Sequence, residues 1–382
     1  MTSEWHIDTT PFGTTGRGEP VTRFDLVAPD GSGVALLDYG ATVLEVRVPD
    51  RAGGLRNVAL GHRDLGAYET NPEYLGVTVG RTAGRRPARP VDVGGATVHL
   101  PANEGDGVHL HGGPVGFHRR LWNAEVRREP GQDGLAEVTF ARVSDDGEDG
   151  YPGRLEVRVH VAWTERHELR IRTEGASDRT TLFAPTHHGT WNLEGAGAGP
   201  ATEHELSVDA DAYLALDDLG VATGEVRPVR GTPLDLRDGT PVATLVPGDG
   251  PLRGRRLDVA ATGDGEARAA AEFLRRTHGL DAAFVLPPTE SGVLRPVATL
   301  HAPRSGITMT VITDEPALQA YTGSFLGRDV PGTHGTPHVP YGGVALEPQR
   351  FPGPAFHDHP FGAVLVHGEG YRSESVFRFD LS

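Results

Sequence analysis

Apolar and polar residues alternate along much of this chain. Ala41-Thr42-Val43-Leu44-Glu45-Val46-Arg47-Val48 and Leu155-Glu156-Val157-Arg158-Val159-His160-Val161 repeat with a period of two. That period puts every second side chain on one face, as in antiparallel strands half buried against a core. Val34-Ala35-Leu36-Leu37 is a further short apolar run. Clusters of Gly, Asp and Pro punctuate these runs at Pro29-Asp30-Gly31, Pro49 to Gly54, Glu129 to Gly134 and Pro247 to Gly250, which is the chemistry of hairpins and loops. Helical periodicity is scarce. The spacing of Ala269, Ala270, Phe273 and Leu274 predicts one helix over Glu266–Thr277, ended by Gly279. Arg328 to Gly343, rich in Gly, Pro and His, reads as a long surface loop. Many strands with few helices predict an all-β fold: one large antiparallel β-sandwich with a few short helices, a single domain over residues 1–382.

Composition narrows the chemistry. The 382 residues include 52 Gly and 30 Pro, which suits a turn-rich globular chain rather than a low-complexity one. There is no Cys, and all 36 basic residues are Arg. Without Lys there can be no Schiff base and no Walker-type phosphate loop. Without Cys there can be no thiol nucleophile, disulfide frame or thiolate zinc site. A formal charge of −16 argues against nucleic acid as the main partner. The amino terminus has neither a basic nor an apolar signal region, and no apolar run approaches the ~18 residues of a spanning helix. A cytoplasmic chain, monomeric or homodimeric and not bound to membrane, is the expectation.

Histidines cluster at His109-Leu110-His111, His187-His188 and His357-Asp358-His359. His-x-His on a strand would point both rings to one face, as a metal site requires. Local hydrogen bonding of strand and loop histidines is the preferred reading, and no H-E-x-x-H helix supports zinc. Asp145 to Gly150 lacks the spacing and terminal Glu of a calcium loop and reads as a tight, solvated turn. Gly31-Ser32-Gly33 has no third glycine or following helix, and no G-x-S-x-G elbow occurs. Glu347 follows the apolar run Val344-Ala345-Leu346; a carboxylate there is paired in a salt bridge or does chemistry.

Several segments, in order, resemble those of the aldose 1-epimerase (galactose mutarotase) family. They are Gly80-Arg81-Thr82-Ala83-Gly84-Arg85, then Leu110-His111-Gly112-Gly113 with Gly116-Phe117 and Trp122, then Asp146-Gly147-Glu148-Asp149-Gly150-Tyr151-Pro152-Gly153. Thr186-His187-His188-Gly189-Thr190-Trp191-Asn192-Leu193, Thr223-Gly224-Glu225 and Gly231-Thr232-Pro233-Leu234-Asp235-Leu236-Arg237 follow. Gln319-Ala320-Tyr321-Thr322-Gly323-Ser324-Phe325-Leu326 and Leu346-Glu347-Pro348-Gln349 with Phe351-Pro352 complete the set.

The resemblance implies a large β-sandwich and interconversion of the α and β anomers of a free aldose such as glucose or galactose, without metal or cofactor. By motif position it implies Glu347 as base, His188 as acid and His111 as an aid at the ring oxygen. Arg85, Asp281 and Gln319 would grip the sugar. Opening a hemiacetal needs one proton removed and another supplied, which a carboxylate and an imidazole can do near neutral pH. The chain departs from the family pattern at His187 (usually Asn), at Gly189-Thr190 (usually Ser-Tyr), at Ala282 (usually His) and in the tail after Pro352. These departures open the expectation of a more open or differently polar wall beside His188. Two alternatives stand beside the mutarotase: a non-catalytic sugar-binding protein, and an epimerase-like enzyme for a modified sugar or other hemiacetal.

Overall fold

The computed structural model describes residues 4–71, 73–105, 107–127, 134–246, 265–290, 292–356 and 359–382. The loop clusters Glu129–Asp133 and Pro247–Gly250, together with His357 and Asp358, lie outside them.

The alternating runs become antiparallel strands. Thr42–Pro49 contains the first run and Leu155–Thr164 the second. Five strands from His6–Thr14 to Leu55–Asn57 form a meander in chain order. A nine-stranded sheet runs from Asn123–Arg127 through Leu155–Thr164 and Glu168–Ser177 to the C-terminal strand Gly370–Leu381. It then continues through Ile307–Thr313 to Thr240–Pro241. A six-stranded sheet is ordered Thr190–Trp191, Val344–Gln349, Ala317–Tyr321, Asp281–Val285, Ala212–Leu216 and Ala222–Pro228. The meander is stitched to this third sheet where Leu60 N–H donates to Thr190 O and Asn192 N–H to Val58 O, each at 2.9 Å.

All three sheets face one core. Leu26 and Val34 from the meander, Val138 and Phe377 from the nine-stranded sheet, and Leu318 and Leu346 from the six-stranded sheet belong to a single buried cluster. Phe24 meets Phe140 at 6.1 Å between ring centres, and Trp191 meets Phe377 at 5.1 Å. This face-to-face burial of strand faces makes the fold an antiparallel β-sandwich.

The expected helix spans Gly265–Arg276 and buries Ala267, Ala270, Ala271, Phe273 and Leu274, one apolar stripe. Gly279 closes it at φ 127°, its N–H donating to Leu274 O at 2.8 Å. A one-and-a-half-turn helix, Leu65–Thr70, had no such periodic signal.

Two expectations need correction. The Arg328–Gly343 segment is irregular but not wholly superficial, because His338 and Tyr341 are buried and the Tyr341 hydroxyl donates to His278 O at 3.0 Å. The acidic turn is tight, yet it is engaged with protein rather than simply solvated. Glu148 accepts two hydrogen bonds from Arg142, and Asp149 accepts the N–H groups of Val115 and Gly116.

Candidate active site

The six-stranded sheet has one face in the core and the other under a cavity. Leu346, Leu318, Ala320, Ala282 and Phe284 point inward. Their odd-numbered neighbours Glu347, Gln349, Gln319, Tyr321, Asp281 and Ala283 line a cavity of about 290 Å³. Register does the rest: Gln319 lies directly opposite Glu347 on one side and Ala283 on the other. Directly opposed residues share a face, so three strands deliver their polar side chains to one floor.

Motif residues brace the wall. The strand Arg85–Pro87 pairs with Val108–Leu110, setting Arg85 opposite Leu110. Asn103 clasps Leu110 through both backbone groups, at 2.7 and 3.0 Å. His109 sits between Pro101 O and the Tyr151 hydroxyl, both at 2.7 Å. Arg81, 1% exposed, donates to the carbonyls of Ser144, Asp145, Pro152 and Gly153 and so binds the acidic turn to the same wall. The chain then turns sharply. His111 has φ 49°, and Gly112 has φ 89° where a β-carbon would run into Gly80 O. Only glycine satisfies both conditions at residue 112.

The strand therefore ends before His111, and the one-face geometry expected of His109 and His111 is not formed. His109 faces Tyr151, whereas His111 Nδ1 accepts the Gly84 N–H at 3.3 Å. Neutral His111 must then carry its proton on Nε2. Among the described residues no group of three or more His, Asp or Glu is arranged to hold a metal.

The other five expected residues meet in the same cavity as His111. His188 Nε2 is 3.5 Å from Glu347 Oε1. The His111 and His188 rings meet edge to face at 5.2 Å. Gln319 Nε2 donates to Asp281 Oδ1 at 2.6 Å. Arg85 forks onto Glu104 at 2.6 and 3.0 Å and reaches Asp281 Oδ2 at 3.4 Å.

Enclosure dictates the proton affinities. Burial, reinforced by the Asp281 charge and opposed by Arg85, pushes Glu347 up to about 8. Burial pushes His188 down to about 4. Burial and then the neighbouring His188 and Arg85 hold His111 well below the ordinary imidazole value. Burial raises Asp281 despite Arg85. Burial alone would lower Arg85, but Glu104 and Asp281 hold it up. The floor thus pairs a carboxyl and an imidazole whose affinities are displaced in opposite directions.

Sequence reasoning missed the Tyr74 ring, 4.7 Å from His111 and 5.9 Å from His188, and the Glu104 clamp on Arg85. Neither carried a signal in sequence. Gln349 did, standing two residues after Glu347 and hence on its face.

The departures at His187, Gly189 and Ala282 have a physical reading. A β-carbon on Gly189 would lie 2.7 Å from Trp191 Cζ2 and 2.8 Å from His187 Nε2. His187 and Gly189 are therefore a coupled pair, the imidazole occupying the space a side chain would need, so the wall is not opened there. Ala282 faces the core, away from Asp281 and the cavity.

With this geometry in hand, comparison places the chain. The aldose 1-epimerase family model matches residues 23–378. The chain is 32% identical over 366 residues to galactose mutarotase of Mus musculus, covering 96% of each. It is 31% identical over 365 residues to aldose 1-epimerase of Haemophilus influenzae, covering 95% of this chain and 96% of that one. A galactose 1-epimerase structure from Lactobacillus acidophilus superposes with a TM-score of 0.79 at 24% identity, over 99% of this chain and 100% of that one. Together with the antiparallel sandwich, these matches establish that the chain is an isomerase belonging to the aldose 1-epimerase family.

Proposed function

We propose that this protein, as one domain over residues 1–382, interconverts the α and β anomers of a free aldose such as glucose or galactose. Glu347 removes the anomeric hydroxyl proton while His188 protonates the ring oxygen, and the C1–O5 bond opens to the aldehyde. Rotation about C1–C2 and reclosure with the roles reversed delivers the other anomer. His111 donates from Nε2 on the ring-oxygen side, and Arg85, Asp281 and Gln319 hold the hydroxyls.

The observation that carries this reading is the enclosed pair, 3.5 Å apart. The two oxygens of a hemiacetal sit on one carbon, so a proton acceptor and donor that close can each reach one. Displaced to about 8 and about 4, the pair holds a single proton across the pH range between them. Glu347 protonated with His188 neutral is the state left after ring opening. The opposite placement is the one that starts it, and a sugar hydroxyl donating to Glu347 favours the carboxylate form. The proton changes place and is never lost, so no cofactor or covalent intermediate is required. Each transfer contributes a factor of about 10² to 10⁴.

Optical-rotation decay of α-glucose and α-galactose tests this. Wild-type protein should accelerate it, and Glu347→Gln or His188→Asn should lower kcat by about 10²- to 10⁴-fold. Full activity in either variant overturns the roles. Saturable sugar binding with decay no faster than buffer overturns the catalytic reading.

A further inference from the structure

Gln349 stands two residues beyond Glu347 on the same strand and the same face, and it lines the same cavity. It is 1% exposed, and neither its Oε1 nor its Nε2 has a hydrogen-bond partner. A β-carbon on Gly84 would be at ordinary contact distance from Nε2, 3.9 Å, and the Gly84 N–H is already given to His111. A buried amide with both ends unpaired weakens a fold that leucine would suit better. An unpaired donor beside an unpaired acceptor in a sugar-sized cavity matches a hydroxyl, which accepts from one and donates to the other. Two residues along a strand span about 7 Å, farther than the separation of two oxygens on one carbon. Gln349 therefore meets the far side of a ring whose anomeric carbon lies at Glu347.

We propose that Gln349 is a substrate-binding residue whose amide takes one ring hydroxyl of the aldose remote from the anomeric carbon, selecting sugars that carry that hydroxyl. This rests on the mutarotase reading above.

The test compares wild type and Gln349→Leu on glucose and on its 2-, 3- and 4-deoxy analogues. On glucose, kcat/KM should fall by about 10- to 100-fold, mostly through KM. One deoxy sugar should be poor for wild type by a similar factor yet cost the variant nothing further. The Tm should equal or exceed that of wild type, because the variant no longer buries an unpaired amide. Unchanged kcat/KM on glucose overturns the proposal. So does an equal loss on all four sugars, or a loss accompanied by a lower Tm. Should the leucine variant not fold, Gln349→Ala removes the amide without adding bulk and is judged by the same outcomes. If wild type binds aldoses without turning them over, the mutarotase reading fails alone, and Gln349 is judged on the same ratios of Kd by calorimetry. If wild type neither binds nor converts any of these sugars, both fail.

Discussion

Glu347 and His188 are displaced in opposite directions by one cause: an enclosed group favours its neutral form. Glu347, raised to about 8, stays protonated well above the ordinary carboxyl range, and His188, lowered to about 4, stays neutral well below the imidazole range. The single-proton state that the proposed mechanism uses is lost below about pH 4, where both are protonated, and above about pH 8, where neither is. A bell-shaped profile of kcat/KM with limbs near those values follows, and the limbs belong to the pair rather than to either residue. Initial rates of anomerisation from pH 3.5 to 9.5 check this; a profile still rising through pH 9 contradicts it. Two neighbours, His111 at φ 49° and Tyr74 at φ 52°, sit in the left-handed region that bulky residues avoid. Such conformations cost about 1–3 kcal/mol each and persist only where surrounding structure enforces them. The sequence exposes Glu347, because a carboxylate ending an apolar run is conspicuous. It does not expose Tyr74, whose place depends on a backbone torsion and on loops distant in sequence.

Among the elements, Val344–Gln349 divides the labour most sharply. Val344 and Leu346 hold the core while Glu347 and Gln349 floor the cavity, a direct consequence of the two-residue strand period. Stability and chemistry should therefore separate between adjacent residues. Leu346→Ala, at a position with no exposure, should cost about 2–5 kcal/mol of stability, while the folded fraction keeps its kcat. Glu347→Gln should do the reverse. Urea unfolding followed beside optical-rotation assays distinguishes them, and a Leu346→Ala enzyme as stable as wild type would contradict the assignment of faces. The alternation in Thr42–Pro49 and Leu155–Thr164 was legible for the same reason. The strand pair Arg85–Pro87 with Val108–Leu110 was not, since three-residue strands are too short to show a period.

Across the whole molecule, burial of histidine sets the response to acid. His62, His109, His188 and His204 are pushed by burial to about 4, His118 and His187 to about 3, and His111 well below the ordinary value. A lowered folded value means stability that is present above the unfolded value, near 6.5, and lost as pH falls toward 4. The raised carboxyls Asp38, Glu73, Asp281, Glu315 and Glu347 act oppositely, their contribution growing as pH falls toward the ordinary carboxyl range. With His334 and His338, which burial also lowers, nine histidines stand against five carboxyls and leave a net uptake of protons on unfolding. Stability should then fall as pH drops from 7 to 5. Urea midpoints at pH 7 and pH 5 measure this, and an unchanged or higher midpoint at pH 5 contradicts it.

The sequence by itself determined the local rules: which residues alternate, where turns and the Gly265–Arg276 helix fall, and which side chains could move a proton. These depend on spacing over a few residues, which any stretch of chain carries within itself. Only the tertiary structure decided which strands adjoin. Gly370–Leu381 enters the middle of the nine-stranded sheet, and Gln319 lies opposite Glu347. It also decided what Gly189 must avoid and how far enclosure moves each pKa. Those outcomes depend on register between distant segments and on exclusion of water, neither of which exists until the sheets close on one another.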